Sequence, residues 1–454
     1  MRMTGLELQH ATGGKWHGEM PGMIHGICTD SRTFTPPAAF LALRGPNFDG
    51  HVFGESMDMQ AEALIGDRKG AEGWKQLHAP QLLVKDTQKA LGDIAAAWRH
   101  KLEKTTVVAI TGSYGKTTVR SMLQHLLESA GLSVAATRKN LNNLVGVPHT
   151  LLAVPESADI ALIECGISEK GEMQKLAAIV QPDVAILTGF ATAHGEGLGG
   201  ADGIVREKAW LTATLTHGGW MAAGAGVTRK LAANSIAVPK QSLDMDRDDP
   251  QSAHWHLDDN ILTLQLGEQT ASLSMALPAK HFAANMALAV SVAVRLLQKR
   301  KNISLSAMTM ALQQWQPVAG RMQSLPGPNG SRIIDDAYNA NPASMQAALD
   351  TLAALPGRHF AVLGDMGELG NDSEKLHQGL RIPQLEGLLL VGPLMQKLCT
   401  TYPDALWARD ADAAVKQMAG FDLMSGDTVL IKASRAMQLD RIVKSITQES
   451  AHAL

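Results

Sequence analysis

Between Thr111 and Thr118 the chain reads TGSYGKTT, directly behind the apolar run TTVVAI. A tight glycine turn between a strand and a helix has the chemistry of a phosphate-binding loop. Gly112 and Gly115 let backbone N–H groups converge, and the helix start adds the positive end of its dipole. Lys116 would bring an ammonium to the β- and γ-phosphates, and Thr117 a hydroxyl for Mg²⁺. The spacing is short: the usual loop leaves four residues before its Gly-Lys pair, whereas only Ser113 and Tyr114 separate Gly112 from Gly115. Tyr114 fits if its side chain points out of the loop, which works through its backbone. A plain glycine turn with a surface lysine is the weaker reading, because GKTT follows an apolar strand.

Three more residues have ligand chemistry. Glu164 ends the apolar run ADIALIE, and open α/β sheets hold their ligands beyond the carboxyl ends of the strands. A lone carboxylate there could equally cap a helix or pair with a lysine. His194 follows DVAILTGF at the same kind of edge, although a histidine in a glycine-rich loop is more often solvated. Lys208, in GIVREKAW, reads by itself as an ordinary solvated helix lysine. They become informative only as a set.

The elements that must position these residues fall into three sections. Residues 1–103 mix short strand-like runs (AFLALRG, QLLVK) with Pro/Gly turns and end in the helical stretch ALGDIAAAWRHKLEK. Residues 104–315 alternate strand and helix. TTVRSMLQHLLESAG carries helical spacing and a terminal Gly131, and ADIALIE and DVAILT read as parallel strands covered on both faces. A hairpin-like insert, HWHLDDNILTLQL, precedes the helical stretch KHFAANMALAVSVAVRLLQKR. SLPGPNG reads as a linker, and residues 316–454 then alternate again through SRIIDD, RHFAVLGD, EGLLLVG and DTVLIKAS. The predicted class is α/β: a small α/β domain followed by two doubly wound, parallel-sheet domains.

Composition agrees with a globular protein. The chain has 454 residues, 45% hydrophobic and 19% charged, and its net charge of −3 provides no basic field for nucleic acid. Cys28, Cys165 and Cys399 form neither a metal pattern nor a disulfide framework, which favours a reducing compartment. The N-terminal MRMTGLELQHATGG lacks a signal-peptide core, and no apolar window reaches the roughly 20 residues that span a bilayer. A cytoplasmic protein without membrane insertion is expected.

Taken together, these motifs resemble the Mur ligases, which build the peptide stem of peptidoglycan, and the resemblance covers nearly the whole chain. TGSYGKTT is similar to that family's short loop, from Thr111 through Thr118. Glu164 matches its Mg²⁺-binding glutamate, and His194 with Lys208 its histidine and carbamylated lysine. Asn285 in KHFAANMALAV matches an asparagine beside adenine, and Arg321 in AGRMQ an arginine that reaches the nucleotide from the third domain. Within the family, DSRTFTPPAAFLALRGPNFDGHVF, NLNNLVGVPHTLL, IIDDAYNANPASMQAAL, AVLGDMGELG and VLIKASRAMQLDRIV point to the last ligase of the series.

The resemblance implies a UDP-binding first domain, a central ATP-binding (P-loop) domain and a Rossmann-like third domain that binds the incoming dipeptide. Its cofactors are ATP, two Mg²⁺ and CO₂ as a lysine carbamate. Its substrates are UDP-N-acetylmuramoyl-tripeptide and D-alanyl-D-alanine, and a monomer is expected. ATP converts a carboxylate into an acyl phosphate, which an amine then attacks. Ser31 and Arg32, with Asn47 and His51, would meet the UDP end. Asn140, Asn142 and Asn143 would line the muramoyl side, although an Asn-rich turn explains them nearly as well. Asp336 would meet the ribose, while Tyr338, Asn339 and Asn341 would face the cleft unless YNANP simply starts a helix at Pro342. Four departures stand out: Tyr114 where a small residue is usual, Phe282 in place of a first asparagine, Ala209-Trp210 for Gly-Glu, and Ala433 for glycine. Folylpolyglutamate-type ligases and a non-ligating P-loop ATPase are the alternatives.

Overall fold

In a computed structural model of the chain, residues 1–45, 48–191, 198–247, 251–298, 304–418 and 420–452 are described. They form two units, one of residues 1–111, 131–186 and 209–221, the other of residues 112–130, 187–208 and 222–454. The central strand–helix repeat contributes to both, so this division does not follow the three sections legible in the sequence.

The first unit opens with a sheet of order Lys15–His17, Gln81–Val84, Ala63–Asp67, Ala39–Leu41 and Ile27–Cys28, parallel except at the Lys15–His17 edge. Phe40, Leu64 and Trp74 form its core beneath the turns. Asp86 then caps helix Thr87–Lys101 by accepting from the Lys89 N–H, and the helix closes on Arg99, His100 and Lys101, where cations suit the dipole. Arg99 is a buried clamp: its guanidinium donates to the carbonyls of Val180 and Gln181 and to Asp183 Oδ2. Asp183 Oδ2 also accepts from the Val107 N–H at 2.8 Å. The clamp therefore fixes the start of strand Thr106–Thr111, which leads into the glycine loop. Within this unit, strands Val184–Leu187, Thr106–Thr111, Ile160–Glu164 and Val134–Ala136 neighbour one another in that order as part of a second sheet. Its parallel register sets Glu164 beside Ile110, so the carboxylate sits at the carboxyl edge, as the sequence suggested.

In the second unit, helix Lys116–Ser129 starts at Gly115 (φ +78°). The hairpin-like insert is a three-stranded antiparallel meander, His254–Asp258, Ile261–Leu266 and Gln269–Ser274. Its last strand, QTASLS, is mostly exposed and polar, and so lacked an apolar signal. Helix Lys280–Leu297 is long and apolar enough to cross a membrane by length and composition, but 61% of it is buried inside the protein.

The closing sheet runs Gln323–Pro326, Arg332–Asp336, Thr428–Lys432, His359–Gly364, Gly387–Val391 and Leu406–Ala408, around a core that includes Ile333, Val362, Leu389 and Ile431. Only its first strand is antiparallel. The linker reading of SLPGPNG is corrected here. Its first residues belong to this edge strand, where Pro326 is tolerated because an edge residue need not donate to a second neighbour.

Candidate active site

Gly112 (φ +154°) begins the loop, and a side chain there would meet Thr188 Oγ1 at 2.1 Å. The Ser113 N–H donates to the Gly189 carbonyl at 2.8 Å, and Thr188 Oγ1 donates to the Tyr114 carbonyl. These two bonds tie the loop to the segment after strand Val184–Leu187. Lys116 Nζ curls back to the Gly112 carbonyl at 2.7 Å, which keeps the ammonium over its own loop. Gly115 provides no capping side chain at the helix start, the kind of terminus that suits an anion. Ser113 Oγ is buried without a hydrogen-bond partner among the described residues. A buried hydroxyl awaiting a partner, between two glycines and beside a lysine, is a cradle that fits a phosphate. Thr111 and Thr118 are buried. The Tyr114 ring lies against Gly189 rather than standing clear of the protein; it is 38% exposed, and burial pushes its phenol pKa up.

This loop lines one wall of a cavity of about 430 Å³. Thr188, Phe282, Asn285 and Leu288 line it too, as do Arg321, Asp336, Asn339 and Lys432. Asn285 approaches the loop closely, its Oδ1 lying 3.0 Å from where a Gly115 side chain would begin. Phe282 meets the Trp315 ring edge-on at 5.7 Å, so the departure from asparagine gives an aromatic wall in place of an amide.

Asp336 is held by Lys432 Nζ at 2.5 Å and by the Met322 N–H at 3.1 Å. Lys432 also donates to the Asn339 carbonyl, and its side chain is only 2% exposed. A buried cation needs such partners, because losing water costs it several kcal/mol. Sequence reasoning missed Lys432, and the signal available was a lysine closing an otherwise apolar strand, TVLIK. His281 was missed as well. It lines the cavity, and burial, opposed by Asp336 and reinforced by Lys432, brings its pKa down to about 4. Asp335 accepts from the N–H groups of Gly320 and Ala337, which orders the turn carrying Arg321, and its own carboxyl pKa is pushed up, chiefly by burial. The Arg321 guanidinium lies 4.2 Å from the centre of the Tyr338 ring.

Glu164 is buried, and its carboxylate accepts from Asn142 Nδ2 at 3.1 Å. Two residues expected separately are thus joined. Lys208 corrects the sequence reading: on helix Gly200–Ala213 it is 5% exposed and not solvated. His194 and Asn47 lie outside the described residues. Asn143 accepts from the N–H groups of Val145 and Gly146, so its side chain shapes the turn into helix Gly146–Leu152, while Asn140 is exposed. Asn341 caps helix Pro342–Ala353 through Ser344, so its side-chain oxygen serves the helix start even though the residue lines the cavity.

Two first-domain expectations change. His51 is buried, with Nδ1 on Asp49 and Nε2 accepting from the Asp67 N–H, so both ring nitrogens serve internal cross-links. Arg32, beside Ser31 in a short 3₁₀ turn, is exposed, but its fork binds Asp30 at 2.7 and 2.9 Å and draws that carboxyl pKa down to about 2.

Three family patterns match in succession: "Mur ligase family, catalytic domain" over residues 23–99, "Mur ligase middle domain" over 110–293, and "Mur ligase, glutamate ligase domain" over 320–435. The chain is 30% identical over 450 residues to the UDP-N-acetylmuramoyl-tripeptide--D-alanyl-D-alanine ligase of Escherichia coli (strain K12), covering 95% of this chain and 96% of that one. It superposes on a crystal structure of MurF from Acinetobacter baumannii with a TM-score of 0.85 at 29% identity, covering 99% of each chain. For the MurF ligase of Thermotoga maritima in complex with ADP the TM-score is 0.80 at 26% identity, covering 94% of this chain and 98% of that one.

Proposed function

This chain belongs to the Mur ligase family, and from that premise we propose that it joins D-alanyl-D-alanine to UDP-N-acetylmuramoyl-tripeptide in an ATP-driven reaction that passes through an acyl phosphate. The observation that carries this reading is the cradle at Gly112–Thr118, with a buried Ser113 hydroxyl that has no partner among the described residues and the Lys116 ammonium folded over it.

A free carboxylate resists an amine because it is anionic and would have to expel oxide. One of its oxygens attacks the γ-phosphorus of ATP, ADP departs, and the carbon then carries phosphate as a leaving group. The protein contributes position and charge neutralisation. Loop N–H groups and the start of helix Lys116–Ser129 hold the phosphates, and Lys116 moves from the Gly112 carbonyl onto them. Asn285 and Phe282 flank the base, and Asp336, still able to accept through its remaining lone pairs, takes the ribose. Arg321 supports the nucleotide from the third domain. The neutral amine of the dipeptide then attacks the carbonyl carbon, and the tetrahedral intermediate expels phosphate and loses a proton.

Thr117 and Glu164 offer the oxygen donors that Mg²⁺ prefers; when bound, the ion offsets phosphate charge. Lys208 is buried, and its amine would take up CO₂ as a carbamate. That carbamate, with His194, would add oxygen and nitrogen donors for a second ion. Loss of activity in Lys208→Ala with rescue by short carboxylic acids is the expected result. Ser31, Asn140 and Asn142 are assigned to the muropeptide, and Tyr338 and Asn339 to the dipeptide side.

The decisive experiment follows heavy oxygen from the donor carboxylate. The label must appear in released phosphate, and phosphate release must require both the muropeptide and the dipeptide. Peptide product without labelled phosphate would refute the acyl phosphate. Phosphate release independent of both substrates would favour a non-ligating ATPase.

A further inference from the structure

An acceptor dipeptide presents two ends, an amine that reacts and a carboxylate that must be held. Two residues span at most about 7 Å, so a cation for the carboxylate must stand close to the reacting end of the nucleotide site. Arg321 lines the nucleotide cavity and stacks on Tyr338 at 4.2 Å, and the guanidinium of Arg435 lies 6.0 Å from the centre of the same ring. The two guanidinium carbons can therefore be no further apart than these distances combined.

The fork of Arg435 is open. Its side chain is 64% exposed, and Asp440 stands at 3.7 Å, beyond hydrogen-bond reach, while accepting from Lys444 at 3.1 Å. By contrast, Arg358 binds Asp427 through two nitrogens at 2.6 and 2.9 Å. The backbone beneath Arg435 is anchored: the Ser434 N–H and Oγ both donate to the Asp365 carbonyl, at 3.0 and 2.7 Å. Tyr338 is anchored too, its N–H donating to the Gly320 carbonyl and its Cβ 3.0 Å from the point where a Gly320 side chain would begin. An open, planar, two-pronged cation on a fixed turn beside a fixed ring suits bidentate capture of a carboxylate.

We infer that Arg435 holds the terminal carboxylate of the incoming dipeptide, with Tyr338 as the platform that orients it. The inference rests on the ligase reading above.

The test compares D-alanyl-D-alanine with D-alanyl-D-alaninamide, which lacks the charge, in the wild-type chain, Arg435→Ala and Arg435→Lys. In Arg435→Ala, kcat/KM for the free dipeptide falls about ten- to a hundredfold, chiefly through KM, the range expected for a charged hydrogen bond. KM for ATP and the unfolding temperature stay at wild-type values. The wild type prefers the acid to the amide by a similar factor, Arg435→Ala uses both alike, and Arg435→Lys regains part of the preference. If Arg435→Ala keeps the full preference for the acid, this assignment is wrong while the ligase reading stands. If the wild type makes no product from the free dipeptide, both fail.

Discussion

Replacing Gly189 with alanine puts a methyl group where the Tyr114 ring now lies: its carbon would fall 2.5 Å from the ring Cζ and hydroxyl and 2.6 Å from Cε2. Gly189 is not among the residues with positive φ, so the conflict is steric and not conformational. The ring can swing outward because it is only half-buried, but its main chain cannot follow freely. The Tyr114 carbonyl accepts from Thr188, and the Ser113 N–H donates to the Gly189 carbonyl at 2.8 Å. The displacement therefore reaches the phosphate cradle. Overpacking of this kind costs about 1–3 kcal/mol. Carried wholly by the loop, that would weaken ATP binding about 5- to 150-fold, at 1.4 kcal/mol per tenfold. Calorimetric titration with ATP and thermal unfolding measure the two shares. Tyr114→Ser, which restores the small residue usual in this family, removes the obstacle, so Gly189→Ala in that background should be nearly silent. Effects that simply add within about 0.5 kcal/mol would refute the reasoning, and so would a single variant with wild-type affinity and stability.

Lys116→Met should lower the rate of substrate-dependent phosphate release about 10²- to 10³-fold, the usual cost of deleting one preorganised charge donor, while circular dichroism shows an unchanged fold. Asp427 carries a carboxyl pKa below the ordinary carboxylate range, first through the Arg358 guanidinium and then, against the opposing effect of burial, through the Met424 N–H. A depressed folded pKa stabilises above the unfolded value, so the stability gap between wild type and Asp427→Asn should be full at neutral pH and close as pH falls below about 4 in urea titrations. His281 has the opposite consequence for its charged form. With a folded pKa of about 4, below the ordinary histidine value, the unfolded chain binds the extra proton between about 4 and 6.5, and stability declines as pH falls through that window. His281→Gln should flatten that part of the profile, and an unchanged slope would show that the imidazole is not held neutral.

Much of the site was legible because it is local. A strand, two glycines and a helix start within TTVVAITGSYGKTT specify an anion cradle wherever the rest of the chain goes, since backbone torsion and helix periodicity are properties of near neighbours. The same holds for Glu164 at the end of an apolar run, and for most parallel strands, whose continuous apolar runs reflect burial on both faces. Short or polar strands escaped for the converse reason: Leu406–Ala408 has too few residues to show a period, and Gln269–Ser274 exposes most of its side chains.

Tertiary structure decided what each polar side chain is free to do. Lys208 read as solvated and is buried; His51 read as a ligand contact and is spent on Asp49 and Asp67. Lys432 and Asp336, which form a charged pair in the cavity wall, are 96 residues apart. No local pattern encodes such a pairing, because burial and charge partners are set by which distant elements pack together, and the cost of an unpartnered charge is felt only once water has been excluded.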